Sequence, residues 1–168
     1  MEVSPPVNIT RFEQLEPGDL FIYMSKHGSC YALKTEKAKD EDPSDILILG
    51  PDFPYEPKES MLLRWQATTV VSFGKSYSII LPTKPSEWFL DGNTRTPVCL
   101  AICGEDVYVC TNGGISPGHF FPCFVEVKTG KIIEKKLPGI TAYTNQWKIA
   151  LPGVEVRTIL EYSTKGSA

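Results

Sequence analysis

Histidine is nearly absent from this 168-residue chain, which has two, His27 and His119. None of the five cysteines, Cys30, Cys99, Cys103, Cys110 and Cys123, stands in a Cys-x-x-Cys pair. No apolar run approaches the ~20 residues that a membrane-spanning helix needs. Basic charge is also scarce. Residues 1–84 hold 9 Lys and Arg against 12 Asp and Glu, and residues 85–168 hold 8 against 8, so the net charge of -3 lies in the first half. Neither half can neutralise a phosphate backbone, so nucleic acid is not expected as a general partner, and a membrane is not expected either. The start, Met1-Glu2-Val3-Ser4-Pro5-Pro6, has no basic cluster leading into an apolar segment. No secretory signal is read there, and a cytoplasmic protein with reduced thiols acting as small apolar groups is expected.

Helix breakers, by contrast, are plentiful. The 13 glycines and 14 prolines run the length of the chain and disfavour helical interiors. A helical bundle and a coiled coil are excluded. An apolar fraction of 42% with 22% charged residues suits a folded chain, and the length suits one domain.

Between the breakers lie short runs rich in β-branched and aromatic residues. Thr10-Arg11-Phe12-Glu13 has a capping-box pattern and predicts one helical turn before Pro17-Gly18. Asp19–Met24 and Cys30–Leu33 read as a hairpin turning at His27-Gly28-Ser29, followed by strands over Asp45–Leu49, Met61–Trp65, Thr68–Phe73 and Tyr77–Leu81. Lys34–Asp45 and Pro51–Pro57 read as loops. Pro82–Pro97 reads as a connector with one helical turn near Ser86–Leu90. Val98–Cys103 and Val107–Cys110 form a second hairpin about Gly104-Glu105, and Phe124–Val127 with Ile132-Ile133 a third. Thr111–Pro122 reads as a glycine-rich loop, Tyr143–Leu151 as a strand, and Val154–Tyr162 as a strand or short helix. The predicted fold is mainly β: antiparallel hairpins in a small barrel or a two-lobed β-sandwich, SH3-like in size per lobe, with at most two helical turns. Two similar β-units, 20–82 and 98–152, joined by connector 83–97, would share one core within a single domain 1–168.

Few residues combine into a site. Cys99, Cys103, His119 and Cys123 offer four soft ligands, but residues four apart on a strand are roughly 13 Å apart. Two sulfurs on one zinc lie no more than about 4 Å apart, so no metal site and no cofactor are predicted. An even-numbered turn at Gly104-Glu105 instead sets Cys103 opposite Asp106 and Cys99 opposite Cys110. Nucleophilic chemistry would have to draw on Asp19, His27 and Cys30, giving a cysteine/histidine hydrolase as an alternative function. The stretch Leu15-Glu16-Pro17-Gly18-Asp19-Leu20-Phe21 resembles the way some bacterial cell-wall cysteine peptidases lead into their sheet. That resemblance covers these residues alone, and the upstream nucleophilic cysteine of those enzymes has no counterpart before Cys30.

A second alternative is a single-strand nucleic-acid binder using Lys128, Lys131, Lys135 and Lys136 with Tyr143 and Trp147. The leading expectation is a non-catalytic cytoplasmic binding or assembly module, with a protein partner or self-association. Its contact residues would be Asn112, His119, Phe120 and Phe121, in and after the glycine-rich segment, together with Trp88 of the connector. The loop aromatics Phe53, Tyr55, Trp88, Phe89, Phe120 and Phe121 either cover the ends of the sheets or present a partner surface.

Overall fold

A computed structural model describes residues 8–25, 28–36, 46–49, 61–63, 69–90, 99–116, 119–134, 137–140, 142–153 and 157–162. Strands dominate these residues, and the helical content is two lone 3-10 turns, Phe12–Gln14 and Pro85–Glu87. In chain order the strands are β1 Asn8–Arg11, β2 Leu20–Ser25, β3 Gly28–Lys34, β4 Ile46–Leu49, β5 Met61–Leu63, β6 Thr69–Gly74, β7 Ser78–Ile80 and β8 Trp88–Phe89. They continue with β9 Leu100–Cys103, β10 Asp106–Ser116, β11 His119–Glu126, β12 Ile132–Glu134, β13 Ala142–Thr144, β14 Trp147–Leu151 and β15 Arg157–Tyr162.

Twelve strands form one sheet in the order β1-β6-β2-β3-β4-β5-β10-β9-β13-β8, with β11 on β10 and β12 on β11. A second sheet has the order β15-β14-β7. The sheets are not closed, which corrects the barrel alternative; an open, mainly antiparallel arrangement stands. Strands from both halves of the chain lie in each sheet: β5 meets β10 in parallel at Met61 and Asn112, and β7 pairs with β14.

Burial on both faces explains the continuous apolar runs. Ile46-Leu47-Ile48-Leu49 is buried at every position. Its odd-numbered residues, with Leu20, Leu33, Leu100, Val109 and Val125, meet Trp147, Ile149, Leu151 and Leu160 of the small sheet in the central core. Its even-numbered residues join Phe12, Leu15, Phe21, Ala32 and Val70 in a cluster on the opposite face. Farther along the large sheet a third cluster gathers Cys99, Ala101, Tyr108, Cys110, Phe124, Leu137 and Tyr143. The small sheet thus covers one face of the large one, and two satellite clusters cover the other.

Several boundaries differ from the sequence reading. The stretch before Arg11 is strand β1, antiparallel to β6. The helical turn after it is capped through Gln14, whose Oε1 accepts from the Thr10 hydroxyl at 2.8 Å and the Arg11 amide at 3.2 Å; Glu13 does not cap it. Tyr143–Leu151 is two strands, split at Asn145-Gln146 so that β13 enters the large sheet and β14 the small one. Residues 157–162 are strand. Of the predicted loop Lys34–Asp45, Lys34 ends β3 and residues 37–45 lie outside the described residues, as do the loop Pro51–Pro57 with its aromatics Phe53 and Tyr55 and the turn residue His27.

The first and second halves cross at two glycines. Gly18, at φ +90°, donates its amide to the Lys34 carbonyl at 2.8 Å, and the Gly130 carbonyl accepts from the Glu36 amide at 2.9 Å. A β-carbon at Gly18 would stand 2.1 Å from the Lys128 carbonyl oxygen; one at Gly130, φ +66°, would stand 2.5 Å from that of Lys34. The Tyr77 hydroxyl lies 3.0 Å from the carbonyl oxygens of both Gly18 and Val127 and can donate to either. Burial and then the Asp19 carboxylate raise its pKa far above the ordinary tyrosine value. A group raised on folding stabilises fully below its unfolded pKa of about 10, and that stability is lost as pH climbs above it. Tyr77→Phe is expected to lower stability by about 1–2 kcal/mol at neutral pH. It should also reduce the loss of stability between pH 10 and 12 in denaturant titrations; an unchanged alkaline limb would contradict the assignment.

Candidate functional site: the β10–β11 arm

The longest hairpin among the described residues occupies the segment expected to be a glycine-rich loop. β10 and β11 pair from Tyr108–Glu126 to Ser116–His119, with a register shift between Gly114 and Ser116. Thr111–Ser116 and His119–Pro122 are therefore strand, which corrects the loop reading. Asn112 and the glycine pair looked like breakers, but a strand opposite them supplies the ladder that their own propensity does not.

Among the described residues, the neighbours of this hairpin pair with only part of its length. β9 pairs with β10 from Asp106 to Val109, and one further bond runs from the Cys110 amide to the Cys99 carbonyl at 2.8 Å. β5 meets β10 at Asn112 alone, and β12 pairs with β11 only over Cys123–Val125. Pro122, with no amide hydrogen to give, stands one position beyond the last described rung with β12. Beyond these points Gly113 pairs with Phe121, Gly114 with Phe120 and Ser116 with His119. Among the described residues, the ladders of this tip involve no other strand. It continues about 10 Å past Gly113 at ~3.4 Å per residue.

The structure brings four of the five predicted contact residues onto this hairpin. Asn112 is at its base opposite Pro122, and His119, Phe120 and Phe121 follow in sequence toward it from the tip. Trp88 is elsewhere. It pairs with Thr144 of β13, so β13 and β9 lie between it and β10, a separation of roughly 14 Å at strand spacing. Its indole N–H donates to the Pro82 carbonyl at 3.1 Å. Phe89 stacks on Tyr143 with ring centroids 5.6 Å apart. Both connector aromatics are partly buried against the end of the sheet.

The residues named for other chemistries are spread apart. The Asp19 carboxylate accepts the Glu16 amide at 2.9 Å and shapes the turn into β2. Cys30 lies opposite Tyr23, four residues farther along β2, or about 14 Å away, and is buried in the Phe12–Phe21 cluster. His27 is outside the described residues. Tyr143 and Trp147 are both buried, so neither ring offers a face on which a base could stack. Lys128 and Lys131 are exposed on their turn, while Lys135 and Lys136 lie outside the described residues. Among the described residues no three His, Cys, Asp or Glu side chains cluster as metal ligands, and no helix is long and apolar enough to cross a membrane. All five cysteines are thiols, and Cys103 alone is not buried.

No family model matches the chain, and no curated protein or solved structure matches it.

The length of the arm is what sequence reasoning missed. The signal was available in His119–Phe124, a run with three phenylalanines that can return along Tyr108–Gly114 across Pro117-Gly118. Weighing Asn112, Gly113 and Gly114 by propensity alone hid it.

Proposed function

We propose that the chain is a non-catalytic binding or assembly module that engages another protein chain, a second copy of itself or a different protein, through the β10–β11 arm. One observation carries the reading: among the described residues the ladders of β9, β5 and β12 cover only part of the arm, so its tip keeps strand edges that no described strand occupies. Exposed strand edges are where extended segments of partners add by backbone hydrogen bonding, with side chains beside the ladder giving selectivity. Phe120 and Phe121 occupy register positions opposite glycines, where the facing strand contributes no side chain. Aromatic residues at such positions provide large contact area for association. The roughly 14 Å along β2 between Asp19 and Cys30 speaks against the hydrolase alternative, and the burial of Tyr143 and Trp147 against base stacking. Cytoplasmic residence belongs to the same proposal and suits a chain that keeps its cysteines as thiols.

Replacing Phe120 and Phe121 together by serine tests the reading. Self-association by light scattering, and retention of proteins from the native host on the immobilised chain, are expected to fall at least tenfold. The thermal midpoint should move little, because the central core is built elsewhere. Association that persists unchanged in a folded double variant would refute it.

A further inference from the structure

The geometry points to Cys99 and Cys110 as an oxidation site, at which a peroxide forms a reversible cross-strand disulfide at the base of the arm. The two residues share the next rung of the β9–β10 ladder after Leu100–Val109, and the Cys110 amide donates to the Cys99 carbonyl at 2.8 Å. Both belong to the cluster of Ala101, Tyr108, Phe124 and Leu137, so they stand on one face of the sheet. Opposed residues in a hydrogen-bonded rung have α-carbons about 5.5 Å apart, inside the range a disulfide spans. In a hydrogen-bonded rung their β-carbons stand near the wide end of the ~4.5–5.5 Å range, whereas a relaxed disulfide wants about 3.8 Å. Closing the bond therefore draws the strands together by about 1.5 Å, and strained disulfides of this kind are readily reduced.

The other cysteines do not compete for either sulfur. Cys103 is four residues along β9, about 13 Å from Cys99, and lies opposite Asp106. Its Sγ donates to the Pro138 carbonyl at 3.3 Å. Cys123 lies opposite Thr111, one position out of phase with Cys110 and so on the other face of the sheet. Cys30 belongs to the cluster at the far end.

The chemistry balances with hydrogen peroxide as the oxidant. One thiolate attacks a peroxide oxygen and the O–O bond breaks; the sulfur keeps a hydroxyl as sulfenic acid, and the departing hydroxide takes that thiol's proton and leaves as water. The second sulfur then attacks the first, the S–O bond breaks and the S–S bond forms. The hydroxyl leaves as a second water with the second thiol's proton. Two thiols and one peroxide thus become one disulfide and two waters. Cys99 and Cys110 are 0% and 4% exposed, so the first step requires transient opening of the end of β9 and is slower than oxidation of the half-buried Cys103.

The test begins from Cys103→Ser, which leaves four of the five cysteines. After hydrogen peroxide treatment under native conditions, thiol titration in denaturant is expected to fall from four to two. Cleavage after Glu105 should leave the Cys99 and Cys110 peptides joined. The link should persist with Cys123→Ala added, disappear with Cys99→Ala or Cys110→Ala, and be reversed by millimolar glutathione. Four remaining thiols in folded protein, thiol loss without a link, or a link that survives Cys99→Ala would each overturn the assignment. Resistance to glutathione would overturn its reversibility. None of these readouts depends on what the arm binds.

Discussion

Gly18→Ala is expected to cost on the order of 4 kcal/mol or more, enough to leave little folded protein. Two effects combine. An L-residue at φ +90° is strained by about 1–2 kcal/mol, and the new methyl group would sit 2.1 Å from the Lys128 carbonyl oxygen. That oxygen belongs to backbone, so relief requires moving the whole 127–130 turn away from the first half. Moving it lengthens the Glu36–Gly130 hydrogen bond and takes Tyr77 out of reach of Gly18 and Val127 together. Gly130→Ala should behave similarly, since its β-carbon would meet both Lys34 and Gly18 backbone. Gly104 is the control. It too has positive φ, +62°, but a β-carbon there would meet nothing within 4 Å. Gly104→Ala should therefore cost only the conformational strain of about 1–2 kcal/mol. Urea unfolding midpoints of the three variants decide the matter, and equal midpoints for Gly18→Ala and Gly104→Ala would show that the crossing does not hold the halves together.

Trp147→Ala is expected to cost about 3–5 kcal/mol, the range for emptying a large aromatic site in a packed core. Trp147 is 2% exposed, sits in the central cluster and stacks on Tyr162 at 4.3 Å between centroids. It belongs to the small sheet, while Leu20, Leu33, Leu47, Leu49, Leu100, Val109 and Val125 of that cluster come from strands in both halves of the large sheet. Its loss should therefore lower the stability of both halves in one transition. Amide exchange would report this as parallel loss of protection in β3 and in β10. Loss confined to β14 and β15 would contradict a shared core.

The fold class was legible because burial, breakers and hairpin turns are local signals. Gly104-Glu105 set the register of β9 against β10, and the opposition of Cys99 to Cys110 followed from counting back along it. What escaped depended on partners distant in sequence. Gly18 looks like an ordinary turn residue until the carbonyl of Lys128 is seen against it. Asn112-Gly113-Gly114 looks like a loop until β11 is placed beside it. Tyr143–Leu151 reads as one strand because nothing in its composition marks Asn145 as the point where the chain leaves one sheet for another. For the candidate site, Asn112, His119, Phe120 and Phe121 lie on one hairpin. Trp88 does not join them, because pairing with β13 carries the connector to the opposite edge of that end of the sheet.

The most direct test of the arm as the binding surface is photocrosslinking in cells that naturally make the protein. A benzophenone-bearing amino acid would be placed at Phe121, with Lys75, an exposed turn position after β6, as the control. Irradiation is expected to give one discrete adduct with a protein chain from position 121, a second copy or another protein, and none from position 75. No adduct from position 121, or the same adducts from both positions, would contradict the account.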